Sequence, residues 1–176
     1  NMISLIKKFF LQSKDLNSEK SSFKKLKKKK SILLIFSAIE NYSESSEIRY
    51  VGGCIRKILN NENVDDIDFA VNLKPNECIE VLKKNNIKYY ETGVDHGTLT
   101  AIIENDKFEI TSLRKDLITD GRHAKVSFSR DWYVDASRRD FTINAIYTDI
   151  DGRIFDPLNG IADLQNGKIK FIGSPE

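Results

Sequence analysis

A short acidic strand constrains the fold of this chain more than any other stretch of it. Residues 65–71 read Asp-Asp-Ile-Asp-Phe-Ala-Val, and a glycine pair, Gly52-Gly53, precedes them. Side chains alternate between the two faces of a strand, so Asp66 and Asp68 project to one side and the apolar residues at 67, 69 and 71 to the other. Two carboxylates that converge in this way repel each other unless a cation lies between them. Oxygen ligands at this spacing suit Mg²⁺, although a solvated acidic strand edge gives the same pattern.

The composition is that of a globular protein with one basic end. Of the 176 residues, 40% are hydrophobic and 31% are charged, which is enough for one domain with a core. Residues 1–30 hold ten lysines against two acids, and we interpret them as a basic, flexible arm that precedes a domain over residues 31–176. Such an arm either binds an RNA backbone or keeps the protein in solution, and the sequence leaves both readings open.

Cysteine usage and hydropathy bear on the compartment. Cys54 and Cys78 are too few and too isolated for a disulfide framework or a thiolate zinc site, which favours a reducing cytoplasm. The longest apolar stretch, residues 31–39, is far shorter than the roughly 20 residues that a bilayer needs. We therefore expect no membrane partner.

Helix and strand signals are mixed along the chain, which predicts an α+β fold. We expect helices over residues 31–39 and 136–147, a third helix that begins after Gly53, and a fourth that Pro75 opens. Asn105-Asp106 is a hairpin signal. The expected strands are residues 48–51, 64–71, 88–91, 98–104, 107–113 and 125–128.

Glu109 is a candidate third carboxylate. Its neighbours Phe108 and Ile110 face the opposite side of the predicted strand. An acid flanked by core residues costs free energy unless something compensates its charge. We hypothesise that Glu109 joins Asp66 and Asp68 in one metal cluster. An outward-facing residue on a two-sided sheet fits the pattern equally well.

Glycines and arginines suggest an anion-binding region. A glycine-rich turn that enters a helix exposes backbone N–H groups, and Arg56 lies about one turn further on. Arg138 and Arg139 add forked donors suited to bidentate contacts with phosphate. Taken singly, each of these arginines fits equally well with a solvated surface residue that binds no ligand.

Five segments occur in the order seen in class II tRNA nucleotidyltransferases, which the chain resembles from residue 48 to about residue 173. These are the CCA-adding enzymes, and bacterial poly(A) polymerases share their head domain. The segments are Val51-Gly52-Gly53-x-x-Arg56 with Asp66-Ile67-Asp68, Phe-Glu-Ile-Thr-Ser-Leu-Arg at 108–114, Thr-Asp-Gly-Arg-His-Ala at 119–124, Arg-Arg-Asp-Phe-Thr-Ile-Asn-Ala at 138–145, and Asp-Pro-x-x-Gly-x-x-Asp-Leu at 156–164.

The resemblance implies a polymerase-β-like nucleotidyltransferase head, with a mixed sheet of about five strands flanked by helices. It implies that Asp66, Asp68 and Glu109 are catalytic and bind two Mg²⁺ ions. The 3′-hydroxyl of tRNA would attack the α-phosphate of CTP or ATP in line, and pyrophosphate would leave without a covalent enzyme intermediate. A poly(A) polymerase head and a catalytically silent RNA-binding fragment remain alternatives.

The resemblance also implies roles for residues outside the acid cluster. Asp140 and Asn144, one turn apart on the predicted helix, would contact the nucleotide with the glycine and arginine residues. The implied nucleotide-binding set is Gly52, Gly53, Arg56, Arg138, Arg139, Asp140 and Asn144. Asp120, Arg122 and His123 would lie in a loop near the RNA primer end.

Two features depart from the family pattern. Lys57 stands where the family usually has Asp, which could alter helix capping or phosphate geometry. The chain ends at Glu176, before the family's helical neck with its base-selecting Glu-Asp-x-x-Arg motif and before the body and tail. A partner chain that carries the neck and body is one expectation, and a split or decayed gene is another. Without the neck, we expect CTP and ATP to bind alike.

Overall fold

The computed structural model describes residues 21–60, 62–117 and 125–173. Residues 21–27 are helical, and five further α-helices follow in the described parts of the chain: α1 Lys30–Glu40, α2 Gly53–Leu59, α3 Pro75–Lys84, α4 Trp132–Ser137 and α5 Gly160–Gln165. The strands are β1 Ile48–Val51, β2 Ile67–Val71, β3 Lys88–Gly93, β4 Thr98–Ile103, β5 Asp106–Ser112, β6 Arg114–Leu117, β7 Lys125–Phe128, β8 Tyr147–Thr148 and β9 Ile154–Phe155. None of the helices in the described residues has the length and apolarity needed to span a membrane.

A mixed seven-stranded sheet in the order β3-β4-β5-β2-β1-β8-β9 organises the fold, and β6 and β7 form a separate hairpin. Strands β2 and β5 are parallel, whereas the other neighbours in the sheet are antiparallel. The predicted α+β class is confirmed, but the expected strand number of about five was too low. Strands β8 and β9 have two residues each, too few to give the alternation from which a strand is recognised in a sequence.

The predicted helix over residues 136–147 is wrong. Helix α4 begins earlier, because the Asp131 side chain caps it by accepting hydrogen bonds from two backbone N–H groups, and it ends at Ser137. Phe141 is extended, with φ −124° and ψ 145°, and a 3₁₀ turn over Thr142–Asn144 leads into β8. Short polar side chains such as Asp140 compete for backbone hydrogen bonds and interrupt helices, and Asp140 accepts one from the Phe141 N–H at 2.8 Å.

The main core lies on one face of the sheet, under α1, α2 and α3. Its centre is a row of buried aromatic rings: Phe36 lies 5.2 Å from Tyr50 and 5.4 Å from Phe69, and Phe69 lies 5.5 Å from Phe108. A smaller cluster that includes Trp132 covers part of the opposite face. The remaining part of that face carries polar side chains that include Asp68, Thr100 and Glu109.

The end of the predicted arm packs on the head. Phe23 is 2% exposed and Leu26 is also buried, and the Phe23 ring lies 5.7 Å from that of Tyr50. Lys27 forms an ion pair of 2.5 Å with Asp151. These residues therefore belong to the core and its rim, so the boundary at residue 30 was placed too late, and the flexible arm stays a prediction only for residues 1–20.

Candidate active site

Strand register brings two of the three predicted acids together. Asp68 of β2 is the register partner of Glu109 in the parallel strand β5, so their side chains are neighbours on one face of the sheet. Thr100 of β4 is in register with Glu109 on the other side. Asp66 immediately precedes β2 and lines the same cleft of about 390 Å³, which we call the acid cleft; its lining is Asp66, Ile67, Asp68, Thr100, Lys107 and Glu109.

Asp68 is a partly buried carboxylate with two other carboxylates nearby. Burial raises the pKa of Asp68 above its usual value, and the charges of Glu109 and Asp66 raise it further, while Arg139 opposes them. The ionised form of Asp68 is therefore less stable in the protein alone than that of an aspartate in water. A bound cation would remove this penalty, because it offsets both the desolvation and the repulsion.

The donor set suits a hard cation. Carboxylate and hydroxyl oxygens line the acid cleft, and Mg²⁺ commonly takes one or two protein carboxylates and completes its shell with phosphate and water. Within the described residues, however, no group of three or more His, Cys, Asp or Glu side chains is arranged to hold a metal ion. The neighbouring Asp68 and Glu109 thus form the two-carboxylate part of a site that would be completed by other oxygens.

A second cleft of about 230 Å³ adjoins the acids on the side of the arginines. Asp68 and Glu109 line it together with Gly52 and the predicted arginine pair, so it brings these predicted residues into one place. We call it the arginine cleft; its polar and glycine lining is Gly52, Asp68, Thr98, Glu109, Thr111, Arg114, Arg138 and Arg139.

Gly52 is required by the backbone geometry at the start of α2. It has φ 75° and ψ −133°, and a Cβ atom built there would lie 4.0 Å from an Asp68 carboxylate oxygen. Residues other than glycine rarely adopt this conformation. At this turn the backbone, which has no side chain at Gly52, therefore passes close to the Asp68 carboxylate.

Arg56, Asn144 and Asp140 form a hydrogen-bonded chain. An Nη of Arg56 donates to the Asn144 amide oxygen at 2.5 Å, and the Asn144 amide donates to Asp140 at 3.0 Å. The predicted proximity of Asp140 and Asn144 is therefore correct, although a 3₁₀ turn and not an α-helix produces it.

Asp135 is the residue of this region that the sequence analysis missed. Its side chain is 1% exposed and forms ion pairs with Arg138 at 2.9 Å and with Arg139 at 3.0 Å. It also accepts hydrogen bonds from the Tyr147 hydroxyl at 2.7 Å and from the Arg114 backbone N–H at 3.3 Å. An acid three and four residues before paired arginines is a signal that could have been recognised.

Two guanidinium charges offset the effect of burial on Asp135. Burial alone would raise the pKa of Asp135, but Arg139 and Arg138, followed by the Tyr147 hydroxyl, lower it below its usual value. Burial also raises the pKa of Tyr147, so its hydroxyl stays protonated and acts as a donor. Asp135 thus holds one edge of each guanidinium while both arginines line the arginine cleft.

Two remaining sequence predictions have different outcomes. Asp120, Arg122 and His123 lie outside the described residues, so their proposed position near the primer end stays a prediction. Lys57 donates to Asp65 at 2.9 Å on the surface. This ion pair links α2 to the segment that leads into β2, and its two residues do not belong to the lining of either cleft.

The fold and the clefts define a polymerase-β-like nucleotidyltransferase head. The model of the family described as the poly A polymerase head domain matches residues 48–170, and the chain belongs to that family. Among curated relatives, it is 44% identical over 131 residues to "CCA tRNA nucleotidyltransferase 1, mitochondrial" of Mus musculus, which covers 74% of this chain and 30% of the relative. It is 37% identical over 132 residues to the CCA-adding enzyme of Lactobacillus johnsonii, covering 74% and 32%.

Solved structures have the same fold. The CCA-adding enzyme of Bacillus stearothermophilus in complex with CTP matches with a TM-score of 0.67 and 27% identity, over 82% of this chain and 34% of that one. A tRNA nucleotidyltransferase complexed with a primer tRNA and an incoming ATP analog matches with a TM-score of 0.56 and 25% identity, over 74% and 36%. The chain therefore spans about a third of the length of these relatives.

Proposed function

We propose that this chain is the catalytic head of an RNA 3′-end nucleotidyltransferase that transfers CMP and AMP from CTP and ATP to tRNA. The observation that carries the proposal is the register pairing of Asp68 with Glu109 at the meeting point of the acid cleft and the arginine cleft. The names of the curated relatives support tRNA as the acceptor and favour CCA addition over a poly(A) polymerase.

The proposed chemistry assigns each group a task. Asp66, Asp68 and Glu109 would hold two Mg²⁺ ions, which supply Lewis-acid activation of the attacking hydroxyl and charge neutralisation at the phosphates. The Gly52 turn and the arginine pair would bind the triphosphate, because forked guanidinium donors match phosphate oxygens.

The hydrogen-bonded chain around Asn144 would position the ribose. Arg56 and Asp140 fix the Asn144 amide from two sides, which leaves it little freedom to rotate. No side chain is assigned a covalent role: the RNA hydroxyl displaces pyrophosphate directly, and the head contributes positioning and electrostatic stabilisation.

The cellular compartment is part of the same proposal. Cys54 and Cys78 are free and buried, and burial raises the pKa of the two thiols to about 11 and about 12, so they are unreactive. Free thiols suit a reducing compartment, which we propose to be the cytoplasm, whereas the name of the mouse relative is that of a mitochondrial protein.

A metal-dependent binding experiment tests the site. Calorimetric titration of the chain with CTP should give binding that requires Mg²⁺, and Asp66→Ala should abolish it while the circular dichroism spectrum is unchanged. Asp65→Ala is the matched control, since Asp65 is adjacent in sequence but is paired with Lys57, whereas Asp66 lines the acid cleft. If Asp66→Ala binds CTP in Mg²⁺ as well as the parent does, the metal assignment is wrong.

A second titration separates the alternatives. Because no base-reading Glu-Asp-x-x-Arg motif occurs in the chain, CTP and ATP should bind with similar, modest affinity in Mg²⁺. A site that hydrogen-bonds the base rejects the wrong base by several kcal/mol, so its absence is easily measured. A catalytically silent fragment would bind RNA but no triphosphate. A strong preference for ATP alone, or faithful CCA addition by residues 1–176, would show that base selection resides elsewhere in this sequence.

A further inference from the structure

The acid cleft and the arginine cleft lie on opposite sides of the acid pair along the strands. On β5, the arginine cleft includes Thr111 and the acid cleft includes Lys107, and Glu109 between them lines both. Strand β4 repeats the arrangement, with Thr98 on the arginine side and Thr100 on the acid side. The carboxylates therefore separate two binding spaces.

In-line transfer gives these two spaces different occupants. The attacking and leaving oxygens lie on opposite sides of the α-phosphorus. If the arginine pair binds the triphosphate, as the proposed function holds, pyrophosphate leaves on the arginine side. The attacking hydroxyl must then approach from the side of Thr100 and Lys107.

The sheet beyond the acid cleft has the chemistry of a single-strand RNA surface. Strand register places Tyr90 beside Thr100 and Thr100 beside Glu109, and an adjacent row pairs Lys88 with Ile102 and Ile102 with Lys107. Tyr90 is 50% exposed, and both lysines of the second row are exposed. The Lys88 ammonium lies 5.4 Å from the centre of the Tyr90 ring, so one lysine and the aromatic surface are adjacent.

We propose that Lys88, Tyr90, Thr100 and Lys107, which we call the acceptor strip, bind the 3′-terminal strand of the acceptor RNA. The inference rests on the proposed function and adds the location and residues of its second substrate. The two lysines would neutralise backbone phosphates and Tyr90 would stack on an unpaired base. Tyr90 lies two strands from Glu109, about 10 Å away. The stacked base therefore belongs to a nucleotide upstream of the reacting one.

Fluorescence anisotropy with a short labelled single-stranded RNA that has a free 3′-hydroxyl tests the strip. The RNA is titrated with the chain in Mg²⁺ at several salt concentrations. Tyr90→Ala should weaken binding about 5- to 100-fold, the effect of losing one base–aromatic stack. Lys107→Gln should lower the magnitude of the slope of log K against log salt by about 0.7, the value for one phosphate contact on a single strand.

Two controls locate the effect. Lys84→Gln changes an exposed lysine of α3, which covers the opposite face of the sheet, and should leave RNA affinity unchanged. Tyr133→Ala removes another exposed aromatic ring, on α4 next to Arg138, and should also have no effect. Loss of RNA binding in either control at the level of Tyr90→Ala would overturn the location.

The nucleotide titration separates this inference from the proposed function. Tyr90→Ala should bind CTP in Mg²⁺ as the parent does. If Tyr90→Ala also binds RNA as the parent does, or if the parent binds no RNA, the acceptor strip is wrong and the triphosphate site stands. If the parent binds no triphosphate in Mg²⁺, the proposed function is wrong, and the acceptor strip that rests on it is wrong as well.

Discussion

Replacing Asp135 by Asn tests whether the arginine pair is positioned by a buried charge. The substitution keeps the size of the side chain but removes its charge and turns one acceptor oxygen into an amide donor. That donor would face N–H or O–H groups, because Oδ1 accepts from Arg138 and the Arg114 backbone, and Oδ2 accepts from Arg139 and Tyr147. Either orientation of the amide leaves donors opposed and two arginines without their counter-charge.

The expected loss is large. Breaking one partner of a buried ion pair costs about 3–5 kcal/mol. In a protein of this size, 1 kcal/mol lowers Tm by roughly 2–4 °C, so Asp135→Asn should unfold about 6–20 °C below the parent. Triphosphate affinity should fall as well, because both guanidinium groups lose the contact that orients them towards the cleft.

Thermal unfolding followed by circular dichroism measures the effect, with Asp131→Asn as the matched control. Asp131 caps the same helix from an exposed position, and Asn is as good an N-cap residue as Asp. The control should therefore stay within about 0.5 kcal/mol of the parent. A Tm for Asp135→Asn that equals that of Asp131→Asn would refute the reasoning.

The pH dependence gives an independent check on Asp135. Its pKa is lowered in the folded protein, so its contribution to stability is complete above the unfolded value of about 3.9 and is lost as the pH falls towards the folded value. The Tm difference between the parent and Asp135→Asn should therefore shrink below about pH 4. A difference that grows on acidification would contradict the assigned direction.

Three other substitutions test separate parts of the structure. Burial and two neighbouring carboxylates raise the pKa of Asp68, so Asp68→Asn should raise Tm at pH 7 in metal-free buffer. A gain in Tm that persists below about pH 3.9 would contradict this cause. Gly160→Ala should destabilise the fold by about 1–3 kcal/mol in chemical denaturation, because its Cβ would collide with the Thr142 carbonyl, and an unchanged midpoint would refute the packing there. Lys57→Ala breaks the surface ion pair with Asp65, so calorimetry should find CTP affinity unchanged, whereas a clear loss would give Lys57 a role in the phosphate site.

Local patterns predicted the elements that carry the acids. The strand with Glu109 alternates between core and polar residues, and Asp68 lies between the core residues Ile67 and Phe69, so the faces of both acids could be assigned from the sequence. The exact pairing of Asp68 with Glu109 could not, because β2 and β5 are parallel partners separated by a long connection and no local signal fixes the register.

The region after residue 131 shows where sequence patterns fail. The apolar residues Phe141, Ile143 and Ile146 suggested a helix, but the conformation is decided by contacts distant in sequence, such as the Arg56 hydrogen bond to Asn144. Asp135 was missed for a related reason. Its spacing to the two arginines is a local signal, but its hydrogen bond from the Tyr147 hydroxyl forms only because β8 brings Tyr147 onto the same face as the arginine pair.

Primer extension tests the central claim most directly. The protein in its natural length, incubated with Mg²⁺, CTP, ATP and tRNA that lacks its terminal CCA, should extend the tRNA and release pyrophosphate. The Asp68→Asn variant, which we expect to be folded and at least as stable as the parent, should extend no tRNA. Extension by this variant at the rate of the parent would contradict the assignment of the Asp68 and Glu109 pair as the catalytic centre.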